Sequence, residues 1–347
     1  MAQAIITDGL HLTQRAPLSK LRLTLACWNY DRTNALADGR VRPDGIDLVY
    51  LTLPVEETFF RMLRHREFDA AELSLSSYTL SLFLPDPPFV AIPVFPSRVF
   101  RHSSIYVHSA SGIQAPNDLI GKRVGIPEYQ MTAGVWIRGI LSDDYGVPAT
   151  SVVYLTGGQE EPGRPEKLEL DLPSGIRVER IGPEQTLSSM LCRGDIDALY
   201  TARVPSSFRS CGGAVKRLFE DFAASERQYF RRTGIFPIMH TVVIRRDVYQ
   251  ANPWVAQSLY KAFCAAQRCT YADLSETAAL KVMLPWLTAH VEETRREMGH
   301  DFWAYGIERN RHTLATFLRY SHEQGLAKRL LEPERLFAPE TLESFKV

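Results

Sequence analysis

The chain has 347 residues, 45% of them hydrophobic, with 40 basic and 40 acidic side chains and a formal net charge of zero. This length and apolar content suit one large or two ordinary globular domains. The balanced charge, with no block of one sign, excludes the footprint of a nucleic-acid binder or of a protein held to anionic lipid.

Residues 1–20 read as an irregular lead-in. LRLTLAC, from Leu21, is a strand, and WNYDR follows it as the first strand-to-helix loop. EETFFRMLRHREF, from Glu56, is an amphipathic helix, and AAELSLSSY is a buried strand that runs into a polar turn and a helix. The stretch LPDPPFVAIPVFPSR reads as loop and extended chain, because proline removes helix donors. RHSSIYVH is a strand by its β-branched and aromatic content. GKRVGIPEYQMTAGVWIRGIL reads as strand, turn and helix, and VVYLTGG as a strand. QEEPGRPEKLELDLPSG has turn chemistry at both ends and reads as an inserted excursion. After DALYTARVPSSF, the run RRTGIFPIMHTVVIRRD returns to an extended strand. From Pro253 onward helical periodicity dominates, clearest in WVAQSLYKAFCAAQ, TAALKVMLPWL and LATFLRYSHEQG, with Gly325 as a stop.

Two of these segments are copies. EETFFRMLRHREFDA and, from Glu184, EQTLSSMLCRGDIDA align without a gap, and Glu56, Thr58, Met62, Leu63, Asp69 and Ala70 recur as Glu184, Thr186, Met190, Leu191, Asp197 and Ala198. Short alternating strands, GIDLVYL and GIRVERI, precede them. The repeat is too long for a solenoid and implies two similar α/β lobes facing a cleft. Lobe one is expected to hold residues 20–98 plus 240–347 and lobe two residues 103–236, with hinge crossovers near 98–103 and 236–240.

Ligands of open α/β sheets bind beyond the carboxyl ends of the strands. Those ends carry Tyr30, Glu72, Ser76 and Ser77 in lobe one, and Gln130, Thr132 and Arg203 in lobe two. The crossovers carry Arg98, His102 and His240. Hydroxyls, arginines and helix starts with few carboxylates suit a small organic anion. Arg98 and Arg203, with the helix start at Gln130–Thr132, are the expected carboxylate ligands, and Tyr30, Ser76 and Ser77 the remaining substrate contacts. If the two crossovers lie side by side, His102 and His240 approach one another, and either can serve as a proton donor, with Glu72 orienting it or itself accepting a phenolic proton from the ligand. A divalent metal on Glu72, His102 and His240 is a minor alternative, and no HExxH or HxH motif supports it.

No GxSxG elbow, phosphate-binding GxxxxGK loop or GxGxxG after a strand occurs, which argues against serine-hydrolase, ATP and NAD chemistry. The five cysteines form no CxxC pair and read as small buried hydrophobes rather than a disulfide framework or zinc site. No apolar run reaches the ~18 residues that span a bilayer. The N-terminus lacks a basic segment followed by a long apolar one. The expected location is cytoplasmic, without a membrane partner.

At ADGRVRPDGIDL, EETFFRMLRHREFDAAELSLSSY, IPVFPSRVFRHS, GKRVGIPEYQMTAGVWIRGIL and RTGIFPIMHTVVIRRDVY the chain resembles the 4,5-dihydroxyphthalate decarboxylase family. The resemblance runs from about Leu21 to about Gly325. It implies an α/β, two-lobed fold like that of type 2 periplasmic binding proteins. It also implies a cofactor-independent decarboxylase of a hydroxylated aromatic dicarboxylate that yields protocatechuate. Because binding proteins share this scaffold, a non-catalytic solute-binding subunit of an importer is the alternative. The expected partner is a small aromatic carboxylate, and a homo-oligomer is left open.

Overall fold

The computed structural model describes residues 19–343. The lead-in expected over residues 1–20 therefore lies almost wholly outside the described residues, as do the last four of lobe one. Strands β1 (Leu21–Cys27), β2 (Ile46–Thr52), β3 (Ala70–Ser74) and β4 (Phe89–Arg98) alternate with helices α1 (Asp31–Ala37), α2 (Val55–His65) and α3 (Leu75–Ser81). The chain then builds β5 (Ile105–His108), β6 (Arg123–Ile126), α4 (Thr132–Tyr145), β7 (Val153–Thr156) and β8 (Arg177–Arg180). There follow α5 (Leu187–Arg193), β9 (Ala198–Tyr200), α6 (Ser207–Ser210), β10 (Val215–Arg217) and α7 (Phe222–Thr233). It returns as β11 (Ile238–Arg245) and ends in α8 (Arg246–Ala251), α9 (Trp254–Ser275), α10 (Leu287–Met298) and α11 (Arg311–Glu323).

The strands form two mixed sheets, ordered β2-β1-β3-β11-β4 and β10-β5-β9-β6-β7-β8. The two sequence repeats fall in different sheets. Their shared aspartates do the same work: Asp69 Oδ2 accepts the Thr24 N–H and hydroxyl at 2.8 Å, and Asp197 Oδ2 accepts the Arg123 N–H at 2.9 Å. Each ties its strand to the parallel neighbour, β3 to β1 and β9 to β6. The repeat is not exact in space. Pro183 follows β8 with an irregular turn, and α5 starts only at Leu187, capped by Thr186.

Prolines shape the crossover strand. β4 pairs with β11 through register shifts on both sides of His240, where Pro93 and Pro96 supply no ladder donors. The bulged carbonyls find other partners: Gly306 N–H on Pro93, Trp303 Nε1 on Phe95 and Arg32 Nε on Pro96. This irregularity lies beside His240, near the start of β11, while β3 holds it from the other side, with His240 opposite Ser74.

Two sequence expectations change. TAALKVMLPWL is not a helix: residues 276–286 form an irregular loop, and α10 begins only at Leu287. Pro285 lacks a helix donor, and with Met283 and Trp286 at 102% and 72% exposure there is no core to hold an amphipathic face. Cys192 and Cys211 form a disulfide, with Cα atoms 5.9 Å apart, because α5 and α6 end side by side. α11 also packs across on α4 of the 103–236 segment: the Trp136 ring meets Phe317 and Tyr320. Gly139 makes that approach possible, since a Cβ there would lie 2.1 Å from the Tyr320 ring. No helix among the described residues is long and apolar enough to cross a membrane.

Candidate active site

Glu72 points up from the middle strand of the first sheet and is wholly buried. A lone carboxylate there would be costly, and this one is saturated with donors. His240 Nδ1 and the Tyr30 hydroxyl both meet Oε1 at 2.6 Å, and the Trp28 N–H and Cys27 thiol meet Oε2 at 3.1 and 3.5 Å. Burial pushes the Glu72 carboxyl upward, but the hydrogen bond and charge of His240, the Tyr30 hydroxyl and the Trp28 amide outweigh it and hold it below its ordinary value. The anion can only accept, so Nδ1 carries its proton and Nε2 is the free end of the ring. Phe59 of α2 packs edge-on against that ring with centroids 4.8 Å apart, and the His240 side chain keeps 17% exposure. An oriented histidine with one accessible nitrogen is a proton donor or acceptor in waiting.

The other expected residues divide. Ser76, Ser77, Gln130 and Thr132 do meet, where the starts of α3 and α4 converge. Thr132 Oγ1 pairs with Ser74 Oγ at 2.8 Å and accepts the Ser76 N–H at 3.0 Å, and Ser77 Oγ donates to Gln130 Oε1 at 3.4 Å. Ser76 Oγ is buried with no partner among the described residues. Tyr30 is near the site but spends its hydroxyl on Glu72. Arg203 is exposed at the mouth of a cavity of about 490 Å³.

Arg98 and His102 lie elsewhere. The Arg98 guanidinium donates to the Phe236 carbonyl at 3.3 and 2.8 Å and to the Ala304 carbonyl at 3.1 Å. It staples the two crossovers together instead of facing a ligand, and burial pulls its pKa down to about 10. His102 does not approach His240. It sits in a short 3-10 turn among the rings of Tyr145, Phe219 and Tyr229, and neither ring nitrogen has a partner among the described residues. Burial lowers its pKa to about 4. It therefore cannot complete a metal site with Glu72 and His240.

No family model matches the chain. A 4,5-dihydroxyphthalate decarboxylase of Comamonas testosteroni is 44% identical over 330 residues, covering 95% of this chain and all of that one. The chain belongs to the 4,5-dihydroxyphthalate decarboxylase family. A second member, from Pseudomonas putida, is 44% identical over 214 residues, 62% of this chain and 83% of its own. Among solved structures, the periplasmic sulfonate-binding protein SsuA of Methylobacillus flagellatus superposes with a TM-score of 0.51 at 12% identity, over 93% of each chain. A Bordetella bronchiseptica protein gives 0.53 at 16% identity, over 94% of this chain and 97% of its own. These establish the two-lobed binding-protein-like fold of this decarboxylase family member.

Sequence reasoning missed a second cluster in this decarboxylase fold. Arg164 and Lys167, in the excursion between β7 and β8, both meet Glu56 of α2 and Glu128 of the loop after β6. Arg164 Nη2 lies 2.6 Å from Glu56 Oε2 and 2.5 Å from Glu128 Oε1, and Lys167 Nζ lies 3.1 and 2.5 Å from the same two oxygens. The excursion also carries Glu166, which accepts from the Tyr129 and Gln130 amides and the Gln130 side chain. Its alternating charges, EEPGRPEK, were the available signal.

Proposed function

We propose that this chain is a carboxy-lyase that converts 4,5-dihydroxyphthalate to protocatechuate and CO2 without a cofactor, with His240 as the proton donor. The family supports the reaction, and the observation that carries the residue assignment is the Glu72–His240 pair at 2.6 Å. In this substrate each carboxylate has a hydroxyl para to it. The phenol pushes electron density to the carbon that bears the carboxylate. Imidazolium Nε2 delivers a proton to that carbon, the C–C bond to the carboxylate breaks, and its electrons restore the aromatic ring as CO2 leaves. Glu72 steadies the imidazolium. It is buried and fully engaged, so it orients the ring rather than taking a phenolic proton. Dry surroundings strengthen these interactions and strip water from the departing carboxylate.

The same reading keeps lobe one at residues 20–98 plus 240–347 and lobe two at 103–236, hinged at the crossovers near 98–103 and 236–240, with closure bringing substrate against His240. It also keeps a cytoplasmic location. The test is incubation of purified protein with 4,5-dihydroxyphthalate while CO2 and protocatechuate are followed, with His240→Ala beside it. The variant should lose ~10²–10⁴-fold in turnover and much less in affinity. Tight binding by the wild type with no CO2 released would return the solute-binding reading. A folded variant with near-normal turnover would reject His240.

A further inference from the structure

A dicarboxylate keeps one carboxylate through the reaction, and something must hold it. The arginines nearest the dyad are committed elsewhere. Arg32 donates to the Pro96 carbonyl and is stacked between the Tyr30 and Trp303 rings, and Arg98 is the crossover staple. Arg101 faces Met239 and Ser104, and Arg138 serves Gln324 and the Tyr129 carbonyl. Arg164 and Lys167 differ, because what they hold is a carboxylate borrowed from the facing helix.

Three of the four groups in that cluster, Arg164, Lys167 and Glu128, belong to the 103–236 segment, and together they carry a net charge of +1. Lys167 and Glu128 are buried, with side-chain exposures of 4% and 0%. The fourth group, Glu56, comes from α2 and is the most exposed at 31%. Both cations converge on its single oxygen Oε2. Burial pushes the Glu56 carboxyl upward, but Lys167 and Arg164 outweigh it and keep it an anion. Glu184, its counterpart in the repeat, is exposed.

The location fits a substrate. Glu56 lies one helical turn from Phe59, whose ring touches His240. The next residue, Phe60, lies beneath Lys167 at 4.9 Å and, with Arg164 and Arg203, lines the cavity of about 490 Å³. That volume admits an aromatic ring; Arg164 stands at its wall, and Lys167 lies against Phe60, which also lines it.

We propose that Arg164 and Lys167 form the receptor for the carboxylate that the substrate retains, and that Glu56 is an internal stand-in that occupies it when the substrate is absent. This rests on the decarboxylase reading of the same site. Substrate entry then exchanges one carboxylate for another, and the net charge of the cluster is preserved. Product release is the reverse exchange, in which Glu56 returns as protocatechuate leaves.

The proposal has a signed consequence. Protocatechuate is the inert product and keeps that carboxylate. Its affinity, measured by calorimetry, should rise about three- to tenfold in Glu56→Gln, because a competitor has gone. It should fall about ten- to a hundredfold in Lys167→Met, which removes a charged hydrogen bond. A purely structural ion pair predicts the opposite sign for Glu56→Gln: a lower melting temperature with unchanged or weaker binding. That result, or Lys167→Met within twofold of wild type, would overturn the proposal. If Lys167→Met does not fold, the Glu56→Gln sign alone decides. The wild type is assayed separately for CO2 release from 4,5-dihydroxyphthalate. Binding without turnover sinks the decarboxylase reading and leaves the receptor standing as a carboxylate site. CO2 release without binding of protocatechuate sinks the receptor and leaves the decarboxylase reading standing, and neither binding nor turnover sinks both.

Discussion

At the scale of residues, the site turns on one carboxylate. Glu72 anchors His240, and Tyr30 shares its oxygen. Glu72→Gln keeps the volume and removes the negative charge that Nδ1 of His240 faces. Single-turnover measurements should show a loss of about 10²-fold with substrate affinity nearly unchanged; a folded variant at the wild-type rate would detach Glu72 from the chemistry. His102 makes a different, purely structural prediction. Its native pKa is near 4 against an ordinary value of 6.5, so the unfolded chain takes up a proton that the native one refuses. Stability from keeping it neutral is full above about pH 6.5 and is lost progressively as pH falls toward 4. Between about pH 7 and pH 5 the loss is about 2 kcal/mol. Urea unfolding of His102→Phe should show a shallower acid slope than wild type, and parallel slopes would refute the assignment. In the sequence both histidines lie at crossovers, and either could serve as the proton donor. What separates them is the neighbour, a carboxylate from β3 for one and an aromatic cage for the other. Arg98 was misread for the same reason: a guanidinium spans several ångströms, and whether it reaches a cleft or a backbone carbonyl depends on Phe236 and Ala304, far away in sequence.

At the scale of elements, periodicity was a good guide wherever a segment had a face to bury. The repeat helix α2 buries Thr58, Phe59 and Met62, as its spacing implied, and the strands at Leu21, Ala70 and Ile238 follow their apolar runs. It failed at TAALKVMLPWL, where a helical pattern has no surface to pack against, and it was silent at the excursion, read only as an insertion with turn chemistry, whose Arg164 and Lys167 reach across to Glu56. The α4–α11 contact was invisible because it depends on a glycine meeting a ring more than a hundred residues away. Gly139→Ala tests it: the added methyl collides with Tyr320, so the melting temperature should fall, by an overpacking cost of ~1–3 kcal/mol. An unchanged midpoint would mean the helices separate at no cost. The Cys192–Cys211 bond was hidden behind irregular spacing. Thiol titration of the denatured, unreduced protein should find the three free cysteines, Cys27, Cys264 and Cys269. Five titratable thiols would show the bond unformed, as a reducing cytoplasm favours.

At the scale of the whole molecule, two sheets need not mean two folding units. Each repeat builds its own sheet, and the sequence pattern alone suggests lobes that could melt separately. The packing argues otherwise. One continuous apolar core includes Leu25 and Ala71 of the first sheet, Val124 and Ala198 of the second, and Phe317 of α11. Trp136 of α4 donates its Nε1 proton to the Ile238 carbonyl of β11 at 2.9 Å, and Arg138 of the same helix is held by Gln324 beyond α11. The C-terminal helix therefore clamps the later segment onto the earlier one. Neither could leave without exposing Trp136, Phe317 and Tyr320 together and stranding the buried Arg138 charge, which is a steep cost for a partly unfolded state. Calorimetry should accordingly show one endotherm, with the van't Hoff enthalpy close to the calorimetric one. Two resolved transitions, or a folded protein left after removal of residues beyond 310, would show that the lobes stand alone. If the cleft closes at the proposed hinge, both lobes would then move as packed units about the Arg98 staple rather than by loosening either one.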